Sequence, residues 1–101
     1  METAVKNNPD EHRYEITADG EPAGFTVYRA RPGLIAFIHT EIDPKFEGHG
    51  LGSKLIAAAL QDVRDRGLAV LPFCPFVNSY IHRHREYAAL VPEQYHEEFD
   101  L

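Results

Sequence analysis

Two periods of hydrophobicity run through the chain, and the change from one to the other locates its elements. Tyr14 and Ile16 alternate with polar neighbours, Asp19-Gly20 stands where a tight turn belongs, and Phe25-Thr26-Val27-Tyr28 resumes extended-type residues. This pattern predicts an antiparallel hairpin. Arg31-Pro32-Gly33 predicts the next turn, and Leu34 to Ile42 reads as a third strand. Regular alternation there puts Ile35, Phe37, His39 and Glu41 on one face and Leu34, Ala36, Ile38, Thr40 and Ile42 on the other. Both faces are largely apolar at one end, as in a central strand. The polar residues His39, Thr40 and Glu41 fall near its C-terminal end.

After Asp43-Pro44 the period lengthens. Leu51, Leu55, Ala58, Ala59 and Val63 recur at helical spacing, with Ile56 and Leu60 widening the stripe. Arg64 and Arg66 complement the negative end of the helix dipole, and Gly67 can take the left-handed conformation that stops it. Leu68 to Cys74 then reads as a short strand. Strand, helix and strand in this order imply a right-handed crossover between parallel strands, whose ligands gather at the strands' C-terminal ends. Those ends carry His39 to Ile42 and Phe73-Cys74. Phe76 to about His84 predicts a second helix, whose first turn Asn78 or Ser79 helps to cap. The expected organisation is a loose arm over 1–11, one α/β domain with a mixed sheet over 12–91, and an acidic tail over 92–101.

The chain of 101 residues is 44% hydrophobic and 26% charged, ordinary for one globular domain. Its formal net charge of −6 disfavours broad binding to nucleic acid or to an anionic membrane surface. A single cysteine excludes an internal disulfide. No apolar run approaches the ~20 residues of a membrane span, and the Met-Glu-Thr start lacks a signal peptide's regions. The expectation is a cytoplasmic protein of a reducing compartment.

The segment Phe46-Glu47-Gly48-His49-Gly50-Leu51-Gly52-Ser53-Lys54 joins the central strand to the amphipathic helix. Glycines let backbone N–H groups approach a ligand, and the helix start adds a partial positive charge. Together they suit a phosphate or pyrophosphate, with Lys45 and Lys54 as charges at the edge. The spacing is not that of the known nucleotide loops. Ser53 occupies the position where the dinucleotide fingerprint needs glycine or alanine, and Ser53 precedes Lys54, reversing the nucleotide-hydrolase order. A plain flexible turn is the competing reading.

On these residues the sequence resembles the GNAT superfamily of acetyl-CoA-dependent N-acyltransferases. Glu47-Gly48-His49-Gly50-Leu51-Gly52 is similar to that family's pyrophosphate loop, with Glu47 in place of its usual Gln or Arg. His39-Thr40-Glu41-Ile42 and Cys74-Pro75-Phe76-Val77 look like the small stand-alone GNAT-like proteins, although His84-Arg85-Glu86-Tyr87 departs from their His-Pro-Glu-Tyr run. The resemblance implies a truncated GNAT fold that binds acetyl-CoA in a V-shaped gap between the strands ending near Ile42 and Cys74. In it Thr40, Glu41 and Ile42 meet the pantetheine, Glu47 to Lys54 meet the pyrophosphate, and the thioester points towards Cys74. Pro72 and Pro75 lack N–H donors, so imperfect pairing at that point is expected independently.

Acyl transfer needs a nucleophile, a proton acceptor and help for the leaving thiolate. Cys74 is the only thiol, and either takes the acetyl group itself or is a small buried hydrophobe. His39 is the candidate base beside it, and Tyr80 the candidate proton donor to the departing sulfur, or an amphipathic core tyrosine. Asn78 is either a cap or a cofactor contact. His82 and His84 point about 200° apart on a helix and do not converge on a metal, so no metal site is expected. The expected activity is acetyl transfer to an unidentified amine, by direct attack or through a Cys74 thioester. The alternative is a noncatalytic acyl-CoA-binding module.

Overall fold

Four strands form an antiparallel meander, and a fifth joins its last strand in parallel. The computed structural model, which describes residues 1–101, has strands Thr3–Asn8 (β1), Arg13–Ala18 (β2), Glu21–Arg31 (β3) and Leu34–Ile42 (β4). Helix Leu51–Asp65 (α1), strand Ala69–Pro72 (β5) and helix Pro75–Arg83 (α2) follow. The sheet order is β1-β2-β3-β4-β5. This is the expected mixed sheet, with α1 as the crossover from β4 to β5.

The local signals act as their chemistry dictates. Asp19 and Gly20 both hold positive φ, 49° and 81°, the geometry of a tight hairpin turn. At the end of α1, Gly67 sits at φ 71° while its N–H donates to Arg64 C=O at 3.0 Å and Leu68 N–H reaches Val63 C=O at 3.1 Å. Leu55, Ile56, Ala59, Leu60 and Val63 are fully buried, so the periodic stripe is the core face. Tyr14 anchors that face to the sheet. Its hydroxyl donates to Asp62 at 2.5 Å and accepts from Arg66 at 3.2 Å. Burial, with the Asp62 carboxylate, holds the Tyr14 phenol well above its usual pKa.

Both ends of the chain are more ordered than the sequence suggested. Residues 3–8, expected within a loose arm, form an edge strand in register with β2 from Thr3↔Ala18 to Asn8↔Arg13. Val5 packs on the core, and Asn7 Oδ1 accepts the Tyr28 hydroxyl at 2.6 Å. The segment looks polar because one face of an edge strand is wet. At the other end, Phe99 is buried and packs edge-on against Phe73, with ring centroids 5.2 Å apart.

Two bulges reset the side-chain phase of the sheet. Between β2 and β3 the register shifts from Ile16↔Gly24 to Thr17↔Pro22. Between β3 and β4 it passes from Tyr28↔Phe37 to Val27↔His39, which leaves Ile38 as the extra residue. Regular alternation along β4 therefore fails. Ile35 and Phe37 face the helices before the bulge, and Thr40 and Ile42 take over that face after it. His39 and Glu41 are turned to the open face.

The pairing of β4 with β5 stops early. The ladder runs from Leu34↔Ala69 to Phe37↔Pro72, while β4 continues to Ile42. Ala69 N–H donates to Gly33 C=O, so the N–H of every second residue of β5 faces β4 and Phe73 is next due at Phe37 C=O. Instead Phe73 N–H folds back to Leu71 C=O at 3.1 Å, and Cys74 N–H takes Phe37 C=O at 2.9 Å. Pro72 plays a different part from the one its missing donor suggested, because its nitrogen points to the outer edge. Pro75 then opens α2. No helix is long and apolar enough to cross a membrane.

Gly24 stands opposite Ile42 at the end of β4. A Cβ there would stand 2.6 Å from the Glu41 carbonyl oxygen, a backbone atom that cannot move aside alone. Gly24→Ala is expected to lower stability by roughly 1–3 kcal/mol, the cost typical of overpacking, as a reduced urea midpoint. An unchanged midpoint would contradict the close approach.

Candidate active site

The early end of the β4–β5 ladder leaves residues 38–42 without a strand partner on the β5 side. In the interior of a sheet such backbone groups would be paired. Here they form one wall of a gap, and α2 with its Cys74 N-cap forms the other. Thr40 and Ile42 line a pocket of about 350 Å³ together with Phe46, Glu47, Gly48, Gly50, Leu51, Gly52, Ser53 and Phe76. The strand edge and the glycine loop thus open into one cavity.

The three loop glycines answer different needs. Gly48 and Gly50 hold φ of 86° and 70°, a region costly for residues with a side chain, and nothing lies within 4 Å of where a Cβ would stand. Gly52 has an ordinary helical backbone, but a Cβ there would come 2.5 Å from the Phe76 ring. That glycine lets the first turns of α1 and α2 meet. Gly50 is the N-cap of α1 and offers no side-chain cap. Lys54 N–H makes a helical bond onto Gly50 C=O at 3.2 Å, and the N–H groups of Leu51, Gly52 and Ser53 lie ahead of it. The open space above the glycines and these leading N–H groups fit a bound diphosphate.

Of the cofactor contacts expected from the sequence, Thr40, Ile42, Glu47, Gly48, Gly50, Leu51, Gly52 and Ser53 line the pocket. His49 and Lys54 are exposed and outside its lining. Lys45 pairs with Glu21 at 3.2 Å. Glu41 lies on the open face, 3.5 Å from His39, with both side chains more than half exposed. Asn78 faces the C-terminal segment, where its Nδ2 donates to Phe99 C=O at 3.2 Å, and its Oδ1 is buried without a partner.

The three candidates for chemistry do not converge. Cys74 is 3% exposed, and its sulfur lies 3.3 Å from Thr40 Oγ1, which is 2.9 Å from Thr26 Oγ1. His39 follows the bulge onto the face opposite Thr40, so it is not placed beside the Cys74 sulfur. Tyr80 stacks on His84 with ring centroids 3.9 Å apart and lies 6.1 Å from Tyr87, outside the pocket lining. Burial, with Tyr87 and Glu86 nearby, holds its phenol above the usual pKa. His82 and His84 each meet a main-chain carbonyl, of Phe99 and Tyr80.

Sequence reasoning missed Phe46 and Phe76 in the pocket wall, and Thr26 behind it. The Phe pair read as ordinary apolar residues. Thr26 was legible only as the one polar residue among the buried positions of β3, which requires the bulged register to see.

The family model described as GCN5-related N-acetyl-transferase matches residues 13–90, more than half of the chain. Among solved structures, a GCN5-like protein from Staphylococcus aureus is similar with a TM-score of 0.66 and 21% identity, over 88% of this chain and 87% of that one. Ard1 from Thermoplasma volcanium is similar with a TM-score of 0.55 and 23% identity, over 77% of this chain and 55% of its own. The ribosomal-protein-S18-alanine N-acetyltransferase from Escherichia coli gives 0.54 and 22%, over 57% of this chain and 38% of that one. These identities show a shared fold, and the chain spans only about half or less of the last two proteins. No curated protein matches the chain closely enough in sequence to count as a relative. On the family match and the shared fold together, the chain belongs to the GCN5-related N-acetyl-transferases and is a GNAT-type acetyltransferase.

Proposed function

We propose that the protein binds acetyl-CoA in the gap between β4 and α2 and transfers its acetyl group to an amine by direct attack. The observation that carries this reading is the single cavity in which the unpaired edge of β4 meets the glycine loop. The main-chain groups of every second residue from 38 to 42, those turned away from β3, are the partners for an amide-bearing pantetheine arm, and the leading N–H groups of α1 are the partners for the diphosphate. Bound acetyl-CoA supplies an activated acyl carbon and a stable thiolate leaving group.

Direct attack is supported by what surrounds Cys74. The thiol is buried, its sulfur meets the Thr40 hydroxyl, and no base accompanies it. A nucleophilic cysteine needs a thiolate and hence a proton acceptor at hand. On the opposite face, His39 and Glu41 stand on the free-edged part of β4, where an incoming amine can give up its proton to the imidazole or the carboxylate. The loop residues orient the donor, and the helix-side face excludes water around it through Phe46 and Phe76.

Calorimetry with CoA and acetyl-CoA tests the binding half: both are expected to bind, and failure of both to bind folded protein would remove the proposal. Gly50→Val forces a β-branched residue into left-handed backbone at the helix start. It is expected to weaken CoA binding about tenfold or more, equivalent to ~1.4 kcal/mol, with the circular dichroism spectrum retained. Intact-mass measurement during turnover with an amine panel tests the route: acetylated amine is expected with no Cys74-dependent mass gain. An acetyl adduct lost in Cys74→Ala would replace direct attack by the covalent route, and binding without turnover of any amine would favour the noncatalytic module.

A further inference from the structure

A second cavity, of about 750 Å³, opens on the uncovered face of the sheet and meets the donor pocket at Ile42, which lines both. The register puts Lys6, Glu15, Phe25 and Glu41 straight across from one another on β1 to β4, and all four line this cavity. Arg13 lines it too, with its guanidinium carbon 4.5 Å from the centre of the Phe25 ring. Some of these charges are already committed. Glu15 Oε2 accepts from Arg13 Nε at 2.7 Å and from Asn8 Nδ2 at 3.1 Å. The carboxylate and the ring together fix the guanidinium, and no hydrogen bond engages its Nη groups. Lys6, exposed on the next strand, adds a second positive charge at this end. At the other end Glu41 meets no lysine or arginine, only the His39 imidazole at 3.5 Å. Uncommitted positive charge thus stands at the β1–β2 side of the cavity and uncommitted negative charge at the β4 side, with Phe25 between them.

We propose that this cavity seats the acyl acceptor and selects a compact amino acid, with its carboxylate on Arg13 and its amine beside Glu41. This rests on the acyl-transfer reading above and names the acceptor class for it. A carboxylate takes the free Nη groups of the Arg13 fork in a bidentate pair, which a neutral group of the same size does not. A polyamine would set a second cation against Arg13 and Lys6. The Phe25 ring lies 4.5 Å from the guanidinium and 6.5 Å from the centre of the His39 ring, so one aromatic side chain separates the anion site from the proton acceptors. A carboxylate and an amine a few bonds apart fit that interval. The ammonium first yields a proton to Glu41 or His39. Its nitrogen then bonds to the acetyl carbon as the C–S bond breaks, the electron pair leaves on the CoA sulfur, and the second nitrogen proton neutralises that thiolate. Glu15 is a positioning residue, which holds the Arg13 fork without touching the acceptor.

Glycine, β-alanine and γ-aminobutyrate, each compared with its own amide, isolate the carboxylate at nearly constant size. With saturating acetyl-CoA the amino acids are expected to be acetylated with kcat/KM about tenfold or more above their amides, the worth of one charge-assisted pair. Arg13→Gln should abolish that preference by raising KM for the amino acids, and Lys6→Gln should reduce it by less. Amides or polyamines acetylated as well as the amino acids, or equal losses on acid and amide in Arg13→Gln, would overturn the assignment. NMR titration of the wild-type protein, with and without CoA, gives a readout independent of turnover. Each amino acid is expected to shift the Arg13 Nε–H signal and the backbone amides of Phe25 and Glu41, and its amide to leave them in place. No such shift in either form of the protein would remove the site. Shifts without acetylation of any amine would leave the cavity's ligand class standing and remove the acyl-transfer reading instead.

Discussion

The structure turns on a loss of step between two parallel strands. Cys74 takes the carbonyl that regular pairing reserves for Phe73, and Pro75 begins a helix where the ladder would need its next donor. One displaced residue thereby keeps β5 from following β4 to its end. A sheet interior normally leaves no main-chain group unpaired, so every second residue of β4 between 38 and 42 is left with hydrogen-bonding capacity that only water or a ligand can satisfy. The gap is the absence of a strand, held open by the start of α2.

What keeps that gap beside the glycine loop is the seating of α1. The helix buries Leu55, Ile56, Ala59, Leu60 and Val63 against the sheet, and Tyr14 reaches from β2 to Asp62 and Arg66 at its far end. A charge-assisted bond of this kind resists sliding along the helix axis better than apolar contact, which is non-directional. At the near end Gly52 rests against the Phe76 ring, so the two helix starts are locked side by side. The leading amides of α1 and the free edge of β4 therefore face one cavity instead of two unrelated surfaces.

The bulge at Ile38 divides the labour across the sheet. It carries Thr40 and Ile42 to the helix side, where the donor is expected, and His39 and Glu41 to the open side, where an acceptor can approach. One extra residue thus separates the two halves of a transfer reaction on adjacent positions of one strand. It also explains why His39 and Cys74, which look like partners in the sequence, are not: they lie on opposite sides of the same sheet.

The sequence by itself determined the element order, the amphipathic helix with its glycine stop, the hairpin turn and the phosphate-suited loop, because each is set by contacts within a few residues. Periodicity and positive-φ glycines are local properties, and local chemistry decides them. Only the tertiary structure decided the strand at 3–8, the buried Phe99 and the phase of β4. Edge strands and ends depend on partners far along the chain, as Tyr28 for Asn7 and Phe73 for Phe99. A bulge leaves no mark in a pattern of alternating residues that is apolar on both faces, since shifting such a strand by one still buries apolar groups. Thr40 meets Cys74 and not His39 for that reason, and no spacing along the chain foretold it.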